Sequence, residues 1–191
     1  MRVLDLGCGP GRDLTLWGVS ASDKVIGLDV DEAALVFARE RFPTRTFLCG
    51  AGESLPFPDE TYDSVVCSLA LPYMKIEQAL TEIHRVLVPD GRLVISYHRP
   101  RFTFGELLHH AFPRPKATLF RLYVIANGAW FHCSGRTFGL LRRTESFQTE
   151  RGMKIALKRA GFNRFGFSQV HGPKWEMFLV EARKPTFFSY G

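Results

Sequence analysis

"VLDLGCGPGRD", residues 3–13, sets an apolar run directly against three glycines, Gly7, Gly9 and Gly11. A strand that ends in such a turn lets backbone approach a ligand closely, and the helix start behind it offers free N–H groups. The spacing is GxGxG, short of the dinucleotide fingerprint GxGxxG, and no GK[ST] is present to cradle a triphosphate. Asp5 stands just before the first glycine, where a carboxylate meets an approaching cation and repels a pyrophosphate.

Outward from this turn, apolar runs of strand length alternate with helix-period segments. The strands read as "RVLDL" (2–6), "KVIGLDV" (24–30), "RTFLC" (45–49), "YDSVVCSL" (62–69) and "GRLVISY" (91–97). Between them, Ala34, Phe37, Ala38 and Arg41 recur at helical spacing, as do Ile76, Leu80, Ile83 and Leu87, so each helix is expected to bury one stripe. This βαβ alternation predicts an α/β fold with a doubly wound parallel sheet covered by helices on both faces. The pattern breaks after Tyr97 and resumes at "TERGMKIALKRAGF" (149–162), which is followed by two strands, "RFGFSQV" and "WEMFLVEA". One domain is expected over residues 1–191, with residues 98–150 as a helical insertion after the fifth strand.

Composition bounds the function. No apolar run approaches the roughly 18 residues of a spanning helix, and a chain without a secretory signal is expected. The four cysteines, Cys8, Cys49, Cys67 and Cys133, show no CxxC spacing, and Cys8, Cys49 and Cys67 are expected as reduced, buried thiols of a cytoplasmic protein. Net charge is +6, but residues 1–98 carry 9 Lys/Arg against 14 Asp/Glu and residues 99–191 carry 16 against 5. The halves are therefore 9 − 14 = −5 and 16 − 5 = +11. A basic half suits an anionic partner, or is simply a solvated face.

"VIGLDVD" ends the second strand at Asp29, where an acidic side chain can accept hydrogen bonds from both hydroxyls of a ribose. Together Asp5 and Asp29 describe a nucleoside with a positive, unphosphorylated appendage, and S-adenosylmethionine has that form. Here the sequence resembles the class I S-adenosylmethionine-dependent methyltransferases, most closely their small-molecule branch of ubiquinone and menaquinone biosynthesis enzymes. The match is carried by "VLDLGCGPGRD", "VIGLDVDEAALVFAR" (25–39), "GAGESLPFPDETYDSVVCSLAL" (50–71) and "ALTEIHRVLVPDGRLVIS" (79–96). The resemblance implies a Rossmann-like seven-stranded sheet in the order 3-2-1-4-5-7-6, last strand antiparallel. It also implies that Asp5, Gly7, Cys8, Gly9 and Gly11 surround the cofactor's methionine part, that Asp29 binds the ribose and that Val30 lies beside the adenine. Ser68 and Leu69 would line the junction of cofactor and substrate, and Glu53 belongs to the same set or is a surface acid of its loop. Relatives place an aspartate where this chain has Ala51 and Gly52, leaving backbone groups of those residues to address the adenine and predicting weaker cofactor binding.

The acceptor should be chosen by the insertion, because loops at the carboxyl ends of the strands form the site. There Phe102, Phe104, Phe112, Phe120, Tyr123, Trp130 and Phe131 interleave with Arg99, Arg101, Arg114, Lys116 and Arg121. That mixture suits a cap over a small hydrophobic or aromatic, acidic metabolite, or fills the insertion's own core. Relatives usually carry helices before the first strand, and the cap could replace that lid. Methyl transfer depends chiefly on near-attack geometry, so His98, His109, His110 and Tyr73 are the candidate bases but none is singled out. No metal site is expected, since His109 and His110 lack further ligands at metal spacing. Two alternatives stand beside the small-molecule enzyme: an RNA methyltransferase, motivated by the basic half but lacking a DPPY- or NPPY-type motif, and a non-catalytic S-adenosylmethionine-binding module. Nucleic acid is not the expected partner; peripheral membrane contact and the oligomeric state stay open.

Overall fold

The computed structural model describes residues 1–12, 14–98, 115–140, 144–172 and 175–186. Strand β1 (Arg2–Leu6) is buried at every position after the first, as expected of a strand covered on both faces. It pairs in parallel with β2 (Lys24–Asp29) on one side and β4 (Tyr62–Ser68) on the other. Beyond these lie β3 (Thr46–Cys49) against β2 and β5 (Leu87–His98) against β4, both parallel. The sheet is completed by β6 (Arg164–Gly172) and β7 (Trp175–Arg183), giving the order β3-β2-β1-β4-β5-β7-β6. Only β7 runs antiparallel to its neighbours β5 and β6, so the topology is the one the resemblance implies.

Alternation along β1 divides the core. Leu4 and Leu6 join the larger cluster, built with Ile76, Leu80, Ile83 and Leu157, while Val3 joins Val25, Val66, Val94 and Trp17 on the opposite face. Helix α1 (Glu32–Arg41) is N-capped by Asp31, whose side chain accepts from the backbone N–H of Ala33 and Ala34. Its buried stripe differs from the expected one: Leu35 and Ala38 are inside, and Phe37 is 62% exposed. The helix is turned so that Leu35 packs with Cys8 and Phe47, and Phe42 completes the stripe. Helix α2 (Ile76–Val86) buries Ile76, Ala79, Leu80, Ile83 and Val86 as its spacing predicts.

In the insertion, α3 (Pro115–Ser134) packs on α4 (Glu150–Arg159). The approach is close, because a Cβ on Gly152 would lie 2.5 Å from the Phe131 carbonyl oxygen. Phe131 is a member of the larger cluster, so α3 shares the main core. Of the aromatics assigned to a cap, Tyr123 and Phe131 are buried and Trp130 is exposed. Phe102, Phe104, Phe112, His109, His110 and the arginines 99, 101 and 114 lie outside the described residues. All four cysteines are free thiols, but Cys49 is exposed rather than buried, because β3 is an edge strand. No helix among the described residues is long and apolar enough to cross a membrane.

Candidate active site

The strand order reverses direction between β1 and β4, and ligands of open α/β sheets bind in the crevice beyond the carboxyl ends of the strands at such a point. The glycine turn occupies that place. Gly7 and Cys8 donate their N–H groups to the Leu28 carbonyl, at 2.7 and 3.2 Å, tying the turn to the end of β2. Gly7 has φ +69°, and a Cβ there would sit 2.1 Å from the Ala70 Cβ. Neither demand can be met by a side chain. Gly9, also left-handed at φ +52°, has nothing within 4 Å of where its Cβ would be, leaving room for a ligand to lie on the backbone.

Asp29, at the end of β2, accepts from the Gly9 N–H through Oδ2 at 2.7 Å and from the Asp31 N–H through Oδ1 at 3.0 Å. These bonds fix the carboxylate while leaving each oxygen a further lone pair, enough to accept from two hydroxyls. Asp5 is 2% exposed, and its Oδ1 has no hydrogen-bond partner among the described residues. Burial pushes its carboxyl up to about 6, with Asp29 adding to the rise and Arg12 and Arg45 opposing it. A buried carboxylate with an unspent oxygen is suited to a cation.

A cavity of about 320 Å³ is lined by Gly7, Asp29, Val30, Gly52, Glu53 and Tyr73 among others, and Asp5, Cys8, Gly9, Gly11, Ser68 and Leu69 lie outside its lining. Val30 and Tyr73 are each 69% exposed, so they form its rim. Gly52 sits under Met74, whose Sδ would be 2.7 Å from an added Cβ. Glu53 accepts from the Lys75 N–H at 2.8 Å, which makes it a support for the start of α2 as well as a wall of the cavity. Ala51 is exposed, beside the lining rather than in it.

Behind the turn, the buried Ser68 hydroxyl accepts from Ser96 at 2.8 Å. Leu69 then takes φ +61°, a conformation seldom adopted by residues with a Cβ, and donates its N–H to the Ser96 carbonyl. Burial, with Asp5 and Asp29 adding to it, pushes the Cys8 thiol up to about 12, which favours its neutral form. Of the candidate bases, Tyr73 borders the cavity while His98, at the far end of β5, does not. No group of three potential metal ligands occurs among the described residues.

The sequence reading passed over Arg12 and Met74. Arg12 donates to the Ser68 carbonyl through Nη1 at 2.9 Å and to the Gly7 carbonyl through Nη2 at 2.8 Å, spanning β1 and β4. Its one signal was its place directly after Gly11. Met74 follows "LPY", a short turn whose role depends on the packing of α2.

An open glycine cradle, a fixed carboxylate at the end of β2 and a buried acid on β1 are groups that could hold a nucleoside with a cationic amino-acid tail. A family described as "Methyltransferase domain" matches residues 4–95. The demethylmenaquinone methyltransferase of Thermus thermophilus is 30% identical over 184 residues, covering 89% of this chain and 80% of its own length. The malonyl-[acyl-carrier protein] O-methyltransferase of Methylococcus capsulatus is 30% identical over 168 residues, covering 85% and 52%. The crystal structure of Bacillus subtilis YcgJ superposes with a TM-score of 0.62 at 16% identity, covering 97% of this chain and 92% of that one. The chain belongs to the class I S-adenosylmethionine-dependent methyltransferases. Within that class it falls in the branch typified by enzymes of quinone biosynthesis. It spans about half the length of several curated relatives it matches, 48%, 41% and 51% of three of them.

Proposed function

We propose that this chain holds S-adenosylmethionine across the β1–β2–β4 cleft and directs its methyl group to a small hydrophobic or aromatic acceptor carrying an acidic group. The observation that carries the reading is the pairing of the open backbone at Gly9 with the fixed Asp29 carboxylate beside it. When bound, the cofactor supplies an electrophilic methyl on a sulfonium. Asp29 receives the ribose hydroxyls, Val30 and Met74 flank the base, and the backbone at Ala51 and Gly52 meets the base edge. Asp5 lies beneath the turn as the counter-charge to the cationic tail. Tyr73, on the rim, marks where acceptor meets cofactor.

The insertion reaches that rim through Thr144, whose hydroxyl donates to the Tyr73 carbonyl at 2.9 Å, and through Arg136, which is paired with Glu77 of α2 at 3.0 Å. These links support residues 98–150 as the segment that shapes the acceptor side. In-line displacement draws most of its acceleration from holding the two reacting atoms in line, so the residues named act chiefly as positioners. Labelled methyl transfer tests the reading. Label from S-adenosylmethionine should enter the small-molecule and lipid fraction of a cell extract. Incorporation only into RNA would overturn the acceptor class.

A further inference from the structure

Over residues 119–133, helix α3 presents to solvent a face without a charged side chain. Leu119, Leu122, Ala126, Ala129, Trp130 and Cys133 are exposed and recur at i, i+3, i+7, i+10, i+11 and i+14. At about 3.6 residues per turn that spacing gathers them into one stripe about 100° wide. The opposite side is the one that enters the protein, through Tyr123, Asn127, Gly128 and Phe131. Single exposed apolar residues are ordinary, but a contiguous stripe along one helix marks a contact surface.

The charge of the chain is concentrated in the same segment. Residues 98–149 carry 8 Lys/Arg against 2 Asp/Glu, 8 − 2 = +6, and the remainder carries 25 − 8 = 17 against 19 − 2 = 17, so the whole net charge of +6 belongs to the insertion. α3 itself contains Lys116 and Arg121 and no acid. This distribution selects among occupants of the stripe. A second copy would bring +6 against +6, a like-charge approach that opposes association. A nucleic acid suits the charge but not the stripe, which holds one aromatic ring and no cation, whereas single-strand sites interleave stacking rings with basic groups. An anionic bilayer surface satisfies both features, taking apolar side chains below the headgroups while basic residues stay among the phosphates. Trp130, an apolar ring with one polar N–H, suits the headgroup level.

We propose that the outer face of α3 is a docking surface for an anionic lipid bilayer, with Leu119, Leu122 and Trp130 entering the headgroup region and the basic insertion held against the lipid phosphates. The contact is peripheral, since no helix among the described residues is long and apolar enough to cross a membrane. It goes beyond the cofactor reading and does not depend on it. Through Asn127 the same helix fixes the loop whose Thr144 bonds to Tyr73, so the docked segment is also the one that meets the cavity rim.

Co-sedimentation of the full chain with vesicles tests the proposal independently of methyl transfer. Vesicles of equal parts phosphatidylglycerol and phosphatidylcholine should bind the wild-type chain at least about tenfold more tightly than vesicles of phosphatidylcholine alone, and raising salt from about 0.1 to about 0.5 M should remove most of that preference. This comparison needs no variant to fold. Trp130→Ser and Leu122→Ser, both at exposed positions, should each weaken binding to the anionic vesicles about tenfold. Phe37→Ser, at an exposed apolar position on α1, should change it less than about twofold. Absence of wild-type binding to the anionic vesicles would overturn the proposal, as would binding unchanged by both α3 variants, which would leave charge alone as its source. Tighter binding to poly-uridylate than to the vesicles would assign the insertion to nucleic acid instead. A dimer in sedimentation equilibrium that Trp130→Ser dissolves would assign the stripe to a second copy.

Discussion

Helices α2 and α3 reach the same core by different means. α2 does so with a single apolar stripe, Ile76, Ala79, Leu80, Ile83 and Val86, all fully buried. α3 carries apolar groups all round: Phe131 points in, while Leu119, Leu122 and Trp130 are 71%, 55% and 52% exposed. Its fixed point is instead polar. Asn127 is fully buried, accepts from the Phe138 N–H at 2.9 Å, and reaches the carbonyls of Phe138, Thr144 and Glu145 at 3.1 Å each. A stripe locates a helix by area removed from water, whereas a buried amide locates one by satisfying particular backbone groups. The first region is seated by a packed stripe; the second is a hook whose amide holds the loop that carries Thr144, which bonds to Tyr73.

Substitutions can break or sharpen this contrast. The largest effect is expected at the turn: Gly7→Ala combines a 2.1 Å overlap with a left-handed φ and should cost about 4 kcal/mol in denaturant unfolding, with loss of cofactor binding. A fall of less than about 1 kcal/mol would show that the turn yields as easily as the insertion.

Next is Asp5. Because its folded-state value is raised from 3.8 to about 6, the native chain binds more protons than the unfolded one between those values. The stability this group contributes is thus present at low pH and lost as pH rises through about 6. Asp5→Asn should stabilise the chain above that window by up to about 3 kcal/mol, read as a higher midpoint at pH 7.5 than at pH 4.5 relative to wild type. Binding of S-adenosylhomocysteine should weaken in the same variant. An unchanged midpoint across the range would show that Asp5 is not strained by burial.

In the second region, Asn127→Leu strands several backbone groups and should cost about 2 kcal/mol, while cofactor affinity stays within about threefold because the amide bonds to Tyr123, Phe138, Thr144 and Glu145 and not to the glycine turn. A collapse of cofactor binding would mean that the two regions are one unit. Trp130→Ser, on the exposed side of α3, should move stability by no more than about 0.5 kcal/mol.

Much of the first region was legible because its signals are local. "RVLDL" is β1 to the residue, and the stripe on α2 follows from spacing alone. Asp29 was placed at the cleft because a strand end is itself a sequence feature. α1 was misread for a physical reason: Phe37 had the right spacing, but the surface it would cover is already filled by Leu35 against Cys8 and Phe47. Arg12 acquires its meaning only when the β1–β4 pairing brings Ser68 within its reach, a contact across 56 positions that no periodicity encodes. Asn127 was hidden likewise, since an asparagine in an apolar helix gives no sign of which carbonyls it will meet.

The central claim is that the cleft over the glycine turn is a nucleoside site read by Asp29. Calorimetric titration of the full chain with S-adenosylmethionine and S-adenosylhomocysteine tests it most directly. The account predicts single-site binding of both, weakened at least tenfold by Asp29→Ala, the effect of about 1.4 kcal/mol. No binding of either compound, or binding indifferent to Asp29, would contradict it.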